Sequence, residues 1–276
     1  MKVYCDTNVF DHIHKGLGVT DGDLRTLRSA IQRGDVSIFL SVLNIEESLA
    51  AIRADPALAI RELWLVLELA DWNGILKPPD ILVTDDIIAY AQGAAVPQPF
   101  LDGDHPVRAG LQMMRNPTQR DIEELLPLLN ESREQKEDFR NGMRAARDKV
   151  LERTKKLSGC RSPFADYWSS LALSFAEGYA ERAGVLEECR NRGIVGLLDV
   201  RSVRMGVGVN LSLAYAETFE GFAPKMGDSR DQQHAVLASA ADIFVTQDGK
   251  LAGLIGRIPI DGLQVLDLKG FLETVR

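Results

Sequence analysis

Short β-rich runs alternate with stretches of helical period at both ends of this chain, and that alternation is the tightest constraint on its fold. Val3 to Cys5 is an apolar run that stops at Asp6-Thr7-Asn8. It reads as a buried strand with Asp6 at its carboxyl end. Asp21 to Ile31 follows, with Leu24, Leu27 and Ile31 on one helical face. Val36 to Leu40 is β-rich, and Ser41 after it is a helix N-cap residue type. Val42, Ile45, Leu49 and Ile52 then recur at helical spacing. Ala57 to Ala70 reads as another helix, which Pro78-Pro79 prevents from continuing. Ile81 to Thr84 reads as a third strand, followed by a helix from Asp85 to Gln92. Near the far end, Gln232 to Ala241 is helical, Ile243 to Thr246 is a strand, and Leu263 to Leu266 is another. Strands alternating with helices predict an α/β fold around a parallel sheet.

The middle of the chain has a different texture. Val96 to Val107 carries Pro97, Pro99, Gly103 and Pro106 and reads as a connector. From Arg108 to Ala216 the pattern is helical and charge-rich. The expected organisation is a core made of residues 1–95 and 225–276, with a helical insertion or subdomain over 96–224. Gly206-Val207-Gly208 is too short and too poorly placed to be a dinucleotide fingerprint.

Composition bounds the function. The 276 residues are 45% hydrophobic and 26% charged, which suits a globular chain with a real core. The formal charge of −8 argues against a protein that simply coats nucleic acid, because phosphate contacts make such proteins basic. It leaves open a metal enzyme whose site is itself acidic. Cys5, Cys160 and Cys189 have no metal-ligand spacing, and so sparse a set fits a reducing compartment. The first residues hold no apolar signal core, and no run is long enough to span a bilayer. The expectation is a soluble, cytoplasmic protein with no membrane partner.

Acidic residues stand at or near the predicted strand ends: Asp6, Glu46 with Glu47, Asp231 and Asp248. In a parallel sheet, ligands bind outside the carboxyl ends of the strands. Carboxylates converging there repel one another unless a cation lies among them. Hard oxygen ligands favour Mg²⁺ or Mn²⁺. Such a cation can acidify water and clamp a phosphoryl oxygen. Any one of these residues, taken alone, reads equally well as a turn residue or a helix cap.

The residues also carry a family resemblance. The opening segment MKVYCDTNVF, with Asp6, Thr7 and Asn8 after a strand, resembles the start of PIN-domain ribonucleases. The segment SVLNIEESL from Ser41 is similar to their second motif, a Ser-capped helix carrying a metal-binding Glu. The stretch DQQHAVLASAADIFVTQD from Asp231 to Asp248 resembles their third and fourth acidic motifs, and is the most specific part. The likeness covers about residues 1–95 and 225–276. It implies a three-layer sandwich with a central parallel sheet and an Mg²⁺- or Mn²⁺-dependent endoribonuclease. Carried over, it makes Asp6, Glu47, Asp231 and Asp248 the catalytic and metal-site carboxylates. Asn8 would help position Asp6, and Thr246 would hydrogen-bond inside the site. Glu47 is the closer match to the second motif and Glu46 the fallback. Small toxin-type members lack the inserted helical stretch, so the toxin role, an antitoxin partner and a homo-oligomer stay open.

Other features read two ways. Arg133, Lys136, Arg140, Arg144 and Arg147 form one helical stripe, either an RNA path or a solvated face paired with Glu134, Glu137, Asp138 and Glu152. His234 lies one helical turn after Asp231 and reads as a site residue or as a packed histidine. Asp228 reads mainly as a cap, and His12 and His14 do not make a zinc site. Phe164, Tyr167, Trp168, Leu171, Leu173 and Phe175 could stack bases but read better as helical core. A haloacid-dehalogenase-type phosphatase would need a second Asp where Asn8 stands. A non-catalytic nucleic-acid-binding or scaffold protein keeping the same fold is the remaining alternative to the ribonuclease.

Overall fold

A computed structural model of the chain describes residues 1–49, 55–113, 163–221 and 228–276. The basic stripe from Arg133 to Arg147, and Cys160, lie outside the described residues.

Five strands form one sheet in the order β3-β2-β1-β4-β5, every pair parallel. They are β1 (Lys2–Cys5), β2 (Ser37–Ser41), β3 (Ala70–Leu76), β4 (Ile243–Val245) and β5 (Gln264–Leu266). Parallel strands need crossovers, and helices supply them. The first crossover holds α1 (Thr7–His14) and α2 (Asp21–Gln32), and the second α3 (Val42–Ser48) and α4 (Pro56–Leu69). After β3 come α5 (Pro79–Gln92), α6 (Pro106–Met113), α7 (Phe164–Arg182), α8 (Leu186–Arg192), a 3-10 turn (Ile194–Asp199), α9 (Arg201–Phe219) and α10 (Asp228–Ala238). α11 (Gly249–Ile255) joins β4 to β5, and α12 (Leu268–Val275) follows β5.

The two sheet faces follow from strand alternation. Val3, Cys5, Ile38, Leu40, Ile243 and Val245 face one core, covered by α1, α2, α4 and α12 through residues such as Phe10, Leu27, Leu63 and Phe271. Tyr4, Phe39 and Phe244 face the other. There α9 lies against the sheet with Met205, Val209 and Leu213, beside α10 and α11. The chain is thus α/β, with helices on both faces of a parallel sheet. The opposite side of α9, with Val203, Val207 and Leu211, packs on α5 and α7. Buried on both sides, α9 reads as apolar nearly all round. Its glycines allow close contact: a Cβ on Gly208 would lie 2.5 Å from Ile258, and one on Gly206 2.9 Å from the Tyr179 hydroxyl. Tyr167 is buried edge-on to Tyr215 and Phe219, so this aromatic group is core.

The third strand corrects the sequence reading. Ile81 to Thr84 lies inside helix α5, and the strand is Ala70–Leu76 instead. A short apolar run fits a buried helix as well as a strand. Here Pro79 starts the helix, Gly93 closes it in a left-handed conformation (φ 70°), and the run is apolar because α5 is packed on two sides. Strand β3 is hidden by Asp71, Asn73 and Gly74, and its register with β2 is irregular between Ile38 and Leu40. Gly74 is required there because a Cβ would lie 2.6 Å from Phe39. The Pro-rich connector closes this sheet edge: Leu101 N–H donates to Ile75 O at 2.8 Å and Lys77 N–H to Pro99 O at 2.9 Å. Among the described residues no helix is long and apolar enough to cross a membrane.

Candidate metal centre

The site is built at the carboxyl edge of β1, β2 and β4. Asp6 leaves β1 as the N-cap of α1, its Oδ1 accepting the Asn8 N–H at 3.1 Å. Its Oδ2 accepts the Thr246 hydroxyl at 2.8 Å and the Asn8 amide at 3.3 Å. Thr246 follows β4 and takes the Asp248 N–H on the same hydroxyl at 3.0 Å. Asp6 is 4% exposed, yet each of these donors is uncharged.

Ser41 closes β2 and caps α3 in a reciprocal box with Asn44. The Asn44 amide donates to Cys5 O at 3.0 Å and to the Thr7 hydroxyl at 3.3 Å, which ties α3 to the end of β1. That fixes Glu47, one turn further on, with its carboxylate toward Asp6. Burial pushes the Glu47 carboxyl up, but His234, Thr7 and Arg230 outweigh it, and Glu47 stays below its ordinary acidity range. Glu46 is buried but is not part of the group that faces Asp6.

His234 comes from α10. Its Nε2 lies 3.0 Å from Glu47 Oε2 and its Nδ1 2.7 Å from the Tyr4 hydroxyl. Burial alone pulls His234 down. The Glu47 hydrogen bond, with the charges of Glu47, Asp6 and Asp231, reverses this and holds it above its ordinary value. Arg230, half-exposed, reaches Glu47 Oε1 at 3.4 Å from the rim.

One ligand atom from each of Asp6, Glu47 and His234 falls within 4.8 Å of the others. Asp231 sits one turn before His234 on α10, partly buried, close enough to act on it electrostatically. Asp248 works as the N-cap of α11, its Oδ1 accepting from Lys250 and Leu251. It stands one hydrogen bond beyond Thr246 and outside the compact group. The chain matches no family model, and no curated protein or solved structure matches it significantly.

A divalent cation fits these donors. Asp6 is a buried carboxylate held by neutral groups, with Glu47 beside it. Two carboxylates at this separation, Asp6 buried and Glu47 partly buried, favour a cation between them. The sequence groups Asp6, Glu47, Asp231 and Asp248, of which the compact group holds Asp6 and Glu47, and it does not single out Tyr4, Thr7, Asn44 or Arg230. Tyr4 and Asn44 look like core and cap residues until the fold brings α10 over β1. Arg230 had a visible signal, since it directly precedes Asp231.

Proposed function

We propose that this chain is a divalent-metal-dependent endoribonuclease of PIN type, hydrolysing phosphodiester bonds. The observation that carries the reading is the pairing of buried Asp6 with partly buried Glu47 at the carboxyl edge of a parallel sheet, where such folds bind ligands. The motifs around Asp6, Glu47, Asp231 and Asp248 supply the family reading. Asp6 and Glu47 would hold Mg²⁺ or Mn²⁺, with Asp231 and Asp248 adding negative charge at its margin. When bound, the cation supplies positive charge against the phosphate and acidifies water for in-line attack. Asn8 and Thr246 fix the Asp6 carboxylate, so its lone pairs meet the cation without reorganisation. Arg230 at the rim is placed to meet a phosphate of the substrate strand.

The test is cleavage of a mixed single-stranded RNA panel with Mn²⁺, Mg²⁺ or EDTA, for wild type, Asp6→Asn and Asp231→Asn. Metal-dependent cutting lost in both variants is the expected result. A folded wild type that binds Mn²⁺ and RNA but cuts nothing would favour the binding-protein alternative.

A further inference from the structure

We infer that His234 is a positioning residue that donates Nε2–H to Glu47, oriented by a hydroxyl chain through Tyr4 and Ser41 to Asn44, and that it is not a ligand of the cation. This rests on the metal reading above. The chemistry of the group allows either role, because an imidazole nitrogen within 4.8 Å of two carboxylates is also a plausible third ligand set. Counting protons along the chain separates them.

The count starts at two backbone groups of fixed polarity. Asn44 Nδ2 lies 3.0 Å from Cys5 O, and Asn44 Oδ1 lies 3.1 Å from the Ser41 N–H. The amide therefore has one orientation. Ser41 Oγ is 2.7 Å from Asn44 Oδ1, an atom that only accepts, so the serine proton points there. Ser41 Oγ is also 3.0 Å from the Tyr4 hydroxyl. Tyr4 therefore stands between Ser41 Oγ and His234 Nδ1, which is 2.7 Å from its hydroxyl, and whichever way the phenolic proton points, Nδ1 has Tyr4 as its partner. At the far side Nε2 faces a Glu47 carboxylate oxygen at 3.0 Å, which again only accepts. Nε2–H donates there, so both ring nitrogens already face hydrogen-bond partners of the protein.

A ligating His234 breaks this count. Nε2 would have to lose its proton and turn from Glu47. Glu47 would then lose the group that holds its carboxylate toward Asp6. The wire crosses β1, β2 and α10, so it fixes the histidine from elements that carry the carboxylates themselves. Tyr4 and His234 also stack as tilted rings with centroids 5.8 Å apart, which restrains ring rotation.

The experiment uses the full chain loaded with Mn²⁺. Pulsed electron paramagnetic resonance should show no directly coordinated imidazole nitrogen in the wild type. Calorimetric Mn²⁺ titration should show Tyr4→Phe, which touches neither carboxylate, binding roughly tenfold more weakly, the usual cost of removing a group that orients a ligand. His234→Gln, whose amide can still donate to Glu47, should bind within a few-fold of wild type, and His234→Leu should lose most affinity. Near-native thermal melting of each variant checks folding. A strong nitrogen coupling that disappears in His234→Gln overturns the assignment. So does an Nε2 without a proton in nitrogen NMR of the metal-free protein. A folded wild type that binds no Mn²⁺ removes the metal reading itself, and the NMR result then reports the donor role separately.

Discussion

The Thr246 hydroxyl donates to Asp6 Oδ2 at 2.8 Å and accepts the Asp248 N–H at 3.0 Å, so one side chain at the end of β4 joins two of the acidic positions. The bond to Asp6 is buried and the bond from Asp248 is partly buried, so leaving them unmade is costly. Thr246→Val keeps the shape and removes both, leaving Asp6 and an N–H short of a partner. Urea denaturation should show a loss of about 1–3 kcal/mol. Thr246→Ser should recover most of it. Equal stability of the Val and Ser variants would show that the methyl group, and not the hydroxyl, is what matters there.

The Glu47–His234 pair predicts a pH window for stability in EDTA. His234 is held above its ordinary value of 6.5, so its contribution is complete below that and fades as pH rises through the raised value. Glu47 is held below its ordinary value of 4.5, so its contribution is complete above that and fades as pH falls through the lowered value. Both contribute fully between those two limits. The stability difference between wild type and Glu47→Gln, from denaturation at a series of pH values, should be largest inside the window and shrink on either side. A difference independent of pH would mean the two groups do not stabilise each other as ions.

The parts of the site legible in the sequence were those set by local chemistry. Asp6, Ser41 and Thr246 each follow an apolar run, and each is a residue type that caps a helix or closes a strand. What could not be read depends on contacts across the fold. The run Ile81 to Thr84 is apolar because α5 is covered on two sides, which no local period reveals. The real third strand carries Asp71, Asn73 and Gly74, and its glycine answers to Phe39 on a neighbouring strand. The spacing of Asp231 and His234 was visible as one helical turn. That the histidine reaches Tyr4 and Glu47 follows only from where α10 crosses β1.

Gly208 and Gly253 should respond oppositely to the same substitution. Both are helical. A Cβ on Gly208 meets Ile258 at 2.5 Å, whereas one on Gly253 meets nothing within 4 Å. Gly208→Ala should destabilise by about 1–3 kcal/mol, because α9 must move off Ile258. Gly253→Ala should stabilise by roughly 0.5–1 kcal/mol, from helix propensity alone. Thermal melting of the two variants settles it. Tolerance of Ala at Gly208 would mean that Ile258 repacks and that α9 is not held tightly at this crossing.

Arg230 tests whether the site's rim meets a nucleic-acid backbone. Its side chain is 48% exposed and reaches the partly buried Glu47 only at 3.4 Å, a long rim contact that is worth little to stability. Under the ribonuclease proposal its charge serves the substrate. Removing one phosphate contact should lower the slope of log affinity against log salt by about 0.7 for a single strand. Arg230→Ala in an Asp6→Asn background, in which the proposal expects no cleavage, should bind a fluorescent single-stranded RNA more weakly and with that flatter slope. Arg230→Lys should keep the slope, because it keeps the charge, while losing some affinity with the planar fork. The same Ala variant should melt within a few tenths of a kcal/mol of its parent. An unchanged slope in Arg230→Ala would place the RNA path elsewhere on the molecule, and the carboxylates alone would then have to account for recognition at the site.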